Sequence, residues 1–288
     1  LKKNLPFYLM IDLNSILHHE RPLKFLTAKI LMRTGLCRFF TVSLEHYMIK
    51  FYPTSLSRNK WINPNYIHVA EDPVFKDYMK NGDKVIDIGA NIGTITLLAA
   101  NLVGTTGKVY SIEPHPKIYK FLQNNIKLNN FTNVITFNVA IGNEKSRIGF
   151  SDIKSDDQNR IVKLDSTLTV DLVKLDDLPI NEKIIDLLKI EAMGFEKFVL
   201  EGSDKILKKT KCIHLPIAGV YHKFFKLYGY HYNEILDILW EKNFEIYEYD
   251  NKKNLYLVSA GSNPAKGDLI AISDQEDFLL RTGYKINN

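Results

Sequence analysis

Asp87, Gly89, Asn91, Gly93 and Thr94 fall in one short stretch, where an apolar run gives way to a helical pattern. Their types fit ligand binding. Gly89 and Gly93 let the backbone turn sharply and lie close to a ligand. Asp87 places a carboxylate near the end of a strand over residues 85–88, and the helix that follows turns its first amides to the same crevice. Glu113 comes 20 residues after Gly93, at the end of the next apolar strand, where an acid accepts both hydroxyls of a ribose. Pro114 and His115 follow it and border an adenosine, and Asn138, ending a third strand, is placed beside the adenine. The alternative readings are structural: a capping acid at Asp87, a strand-end surface acid at Glu113, and a cap at Asn138.

Two ligands compete for this turn. A pyrophosphate needs Gly-x-Gly-x-x-Gly so that backbone amides can approach it, and Asn91 stands where the middle glycine would be. S-adenosylmethionine carries no phosphate. Its sulfonium, ammonium, carboxylate and adenosine ask for carboxylates and carbonyls as much as for amides. Asp87 at the ammonium end and Glu113 at the ribose therefore favour S-adenosylmethionine as cofactor.

The elements that must position these groups alternate. Strands are predicted at 85–88, 108–112, 134–139, 184–190 and 212–217, with helices at 94–103, 116–128, 195–207 and 234–240, the rhythm of βαβ units on a parallel sheet. Residues 142–173 interrupt it with a polar stretch read as a β-ribbon and a loop over the ligand edge, where Asp157, Gln158 and Asn159 are placed to meet an acceptor. Residues 244–249 and 255–259 read as a closing hairpin around Asp250-Asn251.

Residues 1–80 form an N-terminal helical and strand appendage to a main domain over 81–288. Within it, residues 22–40 read as an amphipathic basic helix, with Leu23, Leu26, Ile30, Leu31 and Leu36 on one side and Lys24, Lys29, Arg33 and Arg38 mostly elsewhere. Core packing is the expected use of that face, and peripheral contact with a membrane surface or a partner is the alternative.

At 288 residues, 45% hydrophobic and 25% charged, the chain can bury one sizeable core, which excludes disordered and collagen-like classes. A net charge of +5 without long like-charge runs does not argue for nucleic acid. Cys37 and Cys212 have neither metal spacing nor a bridge framework, so a reducing, cytoplasmic setting is expected. No apolar run is long enough to span a bilayer, and no His, Asp or Glu cluster has metal-ligand spacing.

Several motifs, in order from about Trp61 to Ile213, resemble the FkbM-type S-adenosylmethionine-dependent methyltransferases. They include residues 82–94, then Gly107-Lys108-Val109-Tyr110-Ser111-Ile112-Glu113-Pro114-His115-Pro116, Asn138-Val139-Ala140-Ile141-Gly142, Leu187-Leu188-Lys189-Ile190-Glu191 and Gly194-Phe195-Glu196. The resemblance implies an α/β, Rossmann-like seven-stranded and mostly parallel sheet of the class I methyltransferase type. It also implies methyl transfer, usually onto a hydroxyl of a sugar, glycan or secondary metabolite.

The acceptor side departs from that family. Where the family reads Lys-Ile-Asp-Val-Glu-Gly after its fourth strand, this chain has Lys189-Ile190-Glu191-Ala192-Met193-Gly194. One acid is lengthened and the other is lost. An acid common at the end of the fifth strand is replaced by His214. Glu191 is thus the candidate base or acceptor-orienting carboxylate, with His214 or His222 as a further basic group; the alternative readings are a structural acid at Glu191 and satisfied core or surface histidines at the other two. The competing reading is a catalytically silent S-adenosylmethionine-binding module. An Asn-Pro-Pro-Tyr-like turn for an extruded base is missing after the fourth strand, so no nucleic-acid acceptor is expected.

Overall fold

A computed structural model describes residues 19–66, 73–153, 158–162, 168–217, 221–261 and 268–287. The expectations placed on Asp157 and on the side chain of His222 fall outside the described residues.

The N-terminal segment contains α1 (Pro22–Thr34), β1 (Thr41–Ser43), β2 (Met48–Lys50), α2 (Ser55–Ile62) and α3 (Pro73–Tyr78). Gly35, at φ 72°, ends α1, and a short 3-10 turn over Leu36–Phe39 follows. The predicted single helix over 22–40 is therefore two pieces, because the left-handed glycine cannot continue it. The face of α1 also differs from expectation. Leu23 is 80% exposed and Ile30 48% exposed, while Ala28 is buried and Phe25, Leu31 and Met32 pack on a small cluster with Phe51 and Ile62. Ile49, Leu56, Phe75 and Tyr78 instead join the large cluster that contains Val85, Ile92, Leu97 and Leu122.

The rest of the chain runs through β3 (Lys84–Ile88), α4 (Thr94–Val103), β4 (Lys108–Ile112), α5 (Pro116–Leu128), β5 (Val134–Phe137), β6 (Ala140–Ile141), β7 (Ser146–Phe150), β8 (Ile161–Val162) and β9 (Leu168–Val173). It continues with β10 (Ile185–Ile190), α6 (Glu196–Glu201), α7 (Asp204–Leu207), β11 (Thr210–Pro216), α8 (Tyr221–Leu227), α9 (Asn233–Glu241), β12 (Glu245–Tyr249), β13 (Asn254–Leu257), β14 (Asp268–Ile272), α10 (Gln275–Thr282) and β15 (Lys285–Asn287).

The main sheet has the order β15-β13-β12-β14-β11-β10-β3-β4-β5. Its centre, β11-β10-β3-β4-β5, is parallel, and β14 runs antiparallel to both β11 and β12. Among the described residues it thus has nine strands rather than the seven expected. The return strand β13 pairs with β12 and in turn accepts β15, which extends the edge. Side chains alternate across the sheet as the pleat requires: Val85, Val109 and Leu187 enter one buried cluster, and Ile86, Ile88, Tyr110, Leu188 and Ile190 the other. Both faces are covered, so every residue of β10 and all of β3 but Lys84 is buried, the charged Asp87 and Lys189 included. The predicted ribbon forms a separate four-stranded sheet of order β6-β9-β7-β8.

Arg281, on α10, ties the amino ends of the central strands together. Its guanidinium lies 2.7 Å from Asp83, 3.4 Å from Asp186 and 2.8 Å from Asp277. This clamp sits at the opposite end of the strands from the glycine turn.

Candidate active site

The carboxyl ends of β3, β4 and β10 open into a cleft of 820 Å³, solvent at its mouth included. Such crevices are where open α/β sheets bind ligands. Its walls come from the turn after β3 (Gly89, Ala90, Asn91, Thr94), the end of β4 (Ile112, Glu113, Pro114), the ribbon (Phe150, Arg160, Ile161) and the end of β10 (Lys189, Glu191, Met193).

The turn is held by close approach. Gly89 has φ 74°, and a Cβ there would collide with the Glu191 carbonyl. Its amide and that of Ala90 both donate to the Ile112 carbonyl at 3.0 Å. Asn91 is itself left-handed, at φ 51°, and its Oδ1 accepts from the Ile92 amide at 2.6 Å. Asn tolerates this conformation because its short amide bonds locally. Gly93, at φ 98°, holds a backbone conformation that L side chains rarely adopt, and a Cβ there would press on Leu122 Cδ1 at 2.6 Å.

Glu113 joins the turn to the loop after β4. Its Oε2 accepts from the Asn91 amide and its Oε1 from the His115 amide, both at 2.8 Å. The carboxylate is 6% exposed and lines the cleft.

Behind the turn lies a buried charge cluster. Register sets Asp87 opposite Ser111 on β4 and opposite Lys189 on β10. Lys189 Nζ is 3.1 Å from Asp87 Oδ1 and 3.2 Å from Glu191 Oε2, and it donates to the carbonyls of Ile88 and Gly89. Asp87 Oδ2 accepts from Thr96 Oγ1 at 2.7 Å. Burial alone would push the Lys189 pKa down, but the Asp87 and Glu191 carboxylates outweigh it and the pKa is raised. Lys189 is therefore an ammonium at neutral pH.

The loop after β10 is fixed from below. Met193, at φ 49°, and Gly194, at φ 93°, are both left-handed. Tyr230 donates its hydroxyl to the Gly194 carbonyl at 2.6 Å, and Glu196 Oε1 accepts from the Ala192 amide at 2.9 Å. Glu196 is fully buried, and burial pushes its carboxyl up to about 7 despite the backbone amides that favour ionisation.

Of the residues singled out in the sequence, Gly89, Asn91, Thr94, Glu113, Pro114 and Glu191 line the cleft, as does Asn159. Asp87, Gly93, His115, Asn138 and His214 do not. Asp87 sits behind the turn on Lys189. His115 caps α5 through Nδ1, which accepts from the Lys117 amide, and its Nε2 is 3.2 Å from Asp152 Oδ1. Asn138 donates to the carbonyls of Glu113 and Pro114 at 2.8 and 2.9 Å, bracing the loop from outside. His214 Nε2 is 3.0 Å from the Tyr249 hydroxyl, and burial, aided by the Lys189 charge, lowers its pKa to about 3.

Lys189, Phe150, Arg160, Leu56 and Ile95 line the cleft without having been singled out. A lysine inside a fully buried strand was the legible signal for the first, because an ammonium is rarely buried without partners. The other four depend on long-range packing that no local pattern records. Among the described residues no group of three His, Cys, Asp or Glu side chains is placed to hold a metal, and no helix is long and apolar enough to cross a membrane.

A parallel-centred sheet with a glycine turn, an acid ending the next strand and a cleft at their carboxyl ends defines a Rossmann-like ligand-binding domain. The sequence pattern described as "Methyltransferase FkbM domain" matches residues 87–246. The chain belongs to the FkbM methyltransferase family, and its cofactor is accordingly S-adenosylmethionine. The cleft fits that group: a glycine cradle that a Cβ would fill lies beside the Glu113 carboxylate.

More distant relatives share parts of the chain. The protein-L-isoaspartate O-methyltransferase of Caenorhabditis elegans is 26% identical over 100 residues, 35% of this chain and 44% of that protein. A Saccharolobus solfataricus protein named "Probable cobalt-precorrin-6B C(15)-methyltransferase (decarboxylating)" is 43% identical over 81 residues, 28% of this chain and 41% of that protein. The chain thus spans less than half the length of either. Among solved structures, the FkbM methyltransferase of Methylobacillus flagellatus KT superposes with a TM-score of 0.43 at 16% identity, covering 86% of this chain and 58% of that one.

Proposed function

We propose that this protein is an S-adenosylmethionine-dependent O-methyltransferase that modifies a hydroxyl of a sugar, glycan or related small molecule. The observation that carries this reading is the placement of Glu191 on the same cleft as Gly89, Asn91 and Glu113. Gly89, Asn91, Thr94, Glu113 and Pro114 would hold the cofactor, with Glu113 at the ribose hydroxyls. When bound, S-adenosylmethionine supplies an electrophilic methyl group on a sulfonium.

The chain's own residues position the acceptor. The Glu191 carboxylate orients the acceptor hydroxyl and takes up its proton, as a general base must to make an alcohol nucleophilic. Lys189 fixes one oxygen of that carboxylate at 3.2 Å. Phe150 and Ile161 give the cleft an apolar wall that excludes water. The free, buried thiols of Cys37 and Cys212 fit a cytoplasmic setting. O-methylation is also what the name of the C. elegans relative records.

The second reading is a module that binds S-adenosylmethionine without turnover. It is favoured by Met193, which lines the cleft where the resembled family carries its second acid. Two measurements separate the readings: calorimetry with S-adenosylmethionine, and transfer of a labelled methyl group to a panel of glycans and a cell extract. Labelled product that Glu191→Gln abolishes supports the enzyme. Tight cofactor binding with no product from any source supports the silent module, and no cofactor binding overturns both.

A further inference from the structure

A second cleft, of 1090 Å³ with solvent at its mouth included, adjoins the first and shares Asn159 with it. Three separate elements bring cations to its walls: Arg33 from α1, Arg58 from α2 and Lys117 from the first turn of α5. Asp152 is the one carboxylate among its described lining residues, and it already lies 3.2 Å from His115 Nε2. Among the described residues none of the three cations takes part in an ion pair.

Arg58 is held in place before any ligand arrives. Its Nε and Nη2 donate to Asn59 Oδ1, both at 3.3 Å, and its guanidinium lies 5.7 Å from the centre of the Phe25 ring. Thr54 caps α2 by accepting from the Ser57 amide, and residues of the first turns of both α2 and α5 line the cleft. The amino ends of two helices thus add positive potential to that of the side chains. An anion seated between three cations that face one cleft gains attraction from each of them. Arginine forks match the paired oxygens of a phosphoryl group.

We infer that this second cleft binds a phosphoryl group carried by the methyl acceptor, the rest of which reaches the main cleft past Asn159. The inference rests on the methyltransferase reading for the word acceptor, but the anion site stands on its own geometry. The phosphoryl group belongs either to a soluble phosphoester, such as a sugar phosphate, or to the headgroup of an anionic lipid.

The test is titration of the full chain at low salt with inorganic phosphate and with glucose 1-phosphate, followed by calorimetry or phosphorus NMR. Saturable binding is expected, weakened at least fivefold in Arg58→Ala and lost in the double variant Arg33→Ala with Lys117→Ala. Arg33 and Lys117 are exposed, so their removal leaves the core intact, which circular dichroism checks. Lys24→Ala, a cation of α1 outside the cleft, should leave affinity unchanged. No saturable binding, or an equal loss in Lys24→Ala, overturns the site.

Vesicles of phosphatidylglycerol, compared with phosphatidylcholine, identify the source. Binding to the former that glucose 1-phosphate displaces points to a lipid headgroup, and phosphoester binding without vesicle binding points to a soluble acceptor; both support the site. S-adenosylmethionine affinity, measured in parallel, should stay within twofold in the double variant. Its absence in the unaltered protein would instead sink the methyltransferase reading and leave the anion site standing.

Discussion

Lys189 Nζ sits 3.1 Å from Asp87 Oδ1, deep beneath the glycine turn, and both side chains are almost wholly buried. The pair joins β3 to β10 at the point where the glycine turn begins. An ammonium buried with two carboxylates is a charge cluster whose parts depend on one another.

Removing one partner should therefore cost far more than the pair contributes. Lys189→Met leaves Asp87 buried without its counter-charge, and a loss of about 3–5 kcal/mol in urea unfolding is expected. Adding Asp87→Asn should recover part of that loss. A double variant no more stable than the single one would contradict the pairing.

Glu196 makes a pH prediction. Its folded pKa, about 7, lies above the ordinary 4.5, so the folded state holds the proton more tightly than the unfolded state. Its contribution to stability is fully present below about pH 4.5 and is lost as pH rises to about 7, by up to about 3 kcal/mol at 1.36 kcal/mol per unit. Glu196→Gln keeps an acceptor for the Ala192 amide and should flatten that fall in a series of melts from pH 5 to 8.

Glu113 is expected to matter for the cofactor more than for the fold. Its oxygens hold the amides of Asn91 and His115 while facing the cleft. Glu113→Gln should weaken S-adenosylmethionine binding at least about tenfold, or 1.4 kcal/mol, by calorimetry. Unchanged affinity would remove Glu113 from the cofactor site.

Gly89→Ala tests the turn itself. A methyl there meets the Glu191 carbonyl, and the φ of 74° adds backbone strain. Loss of cofactor binding and destabilisation of about 1–3 kcal/mol are expected. An alanine variant that binds normally would mean that the turn can open.

Much of this site was legible because its constraints are local. Gly89, Asn91 and Gly93 need particular backbone angles, and the alternation from β3 to β5 follows from hydrophobic period alone. What the local pattern could not supply was who stands opposite whom. Asp87 was assigned to the ligand's ammonium, but it faces Lys189, about 100 residues away in sequence, because β10 inserts beside β3. Asn138 likewise turns to the backbone of the neighbouring loop. The outward face of α1 was misread for a related reason: the helix has two apolar sides, and only packing on Phe51 and Ile62 decides which is covered. The two strands beyond the seven expected are β14, which inserts between β11 and β12 by pairing far along the chain, and β15, which extends the edge beside β13.

The collision that a Cβ at Gly89 would suffer says something about modularity. The turn and the loop after β10 touch backbone to backbone, with the Glu191 amide on the Ile88 carbonyl and Lys189 on the carbonyls of Ile88 and Gly89. No spacer separates the turn proposed to hold the cofactor from the loop proposed to face the acceptor. A loop grafted from a relative to change the acceptor would have to arrive with its own turn, so the two segments have to be engineered as one piece.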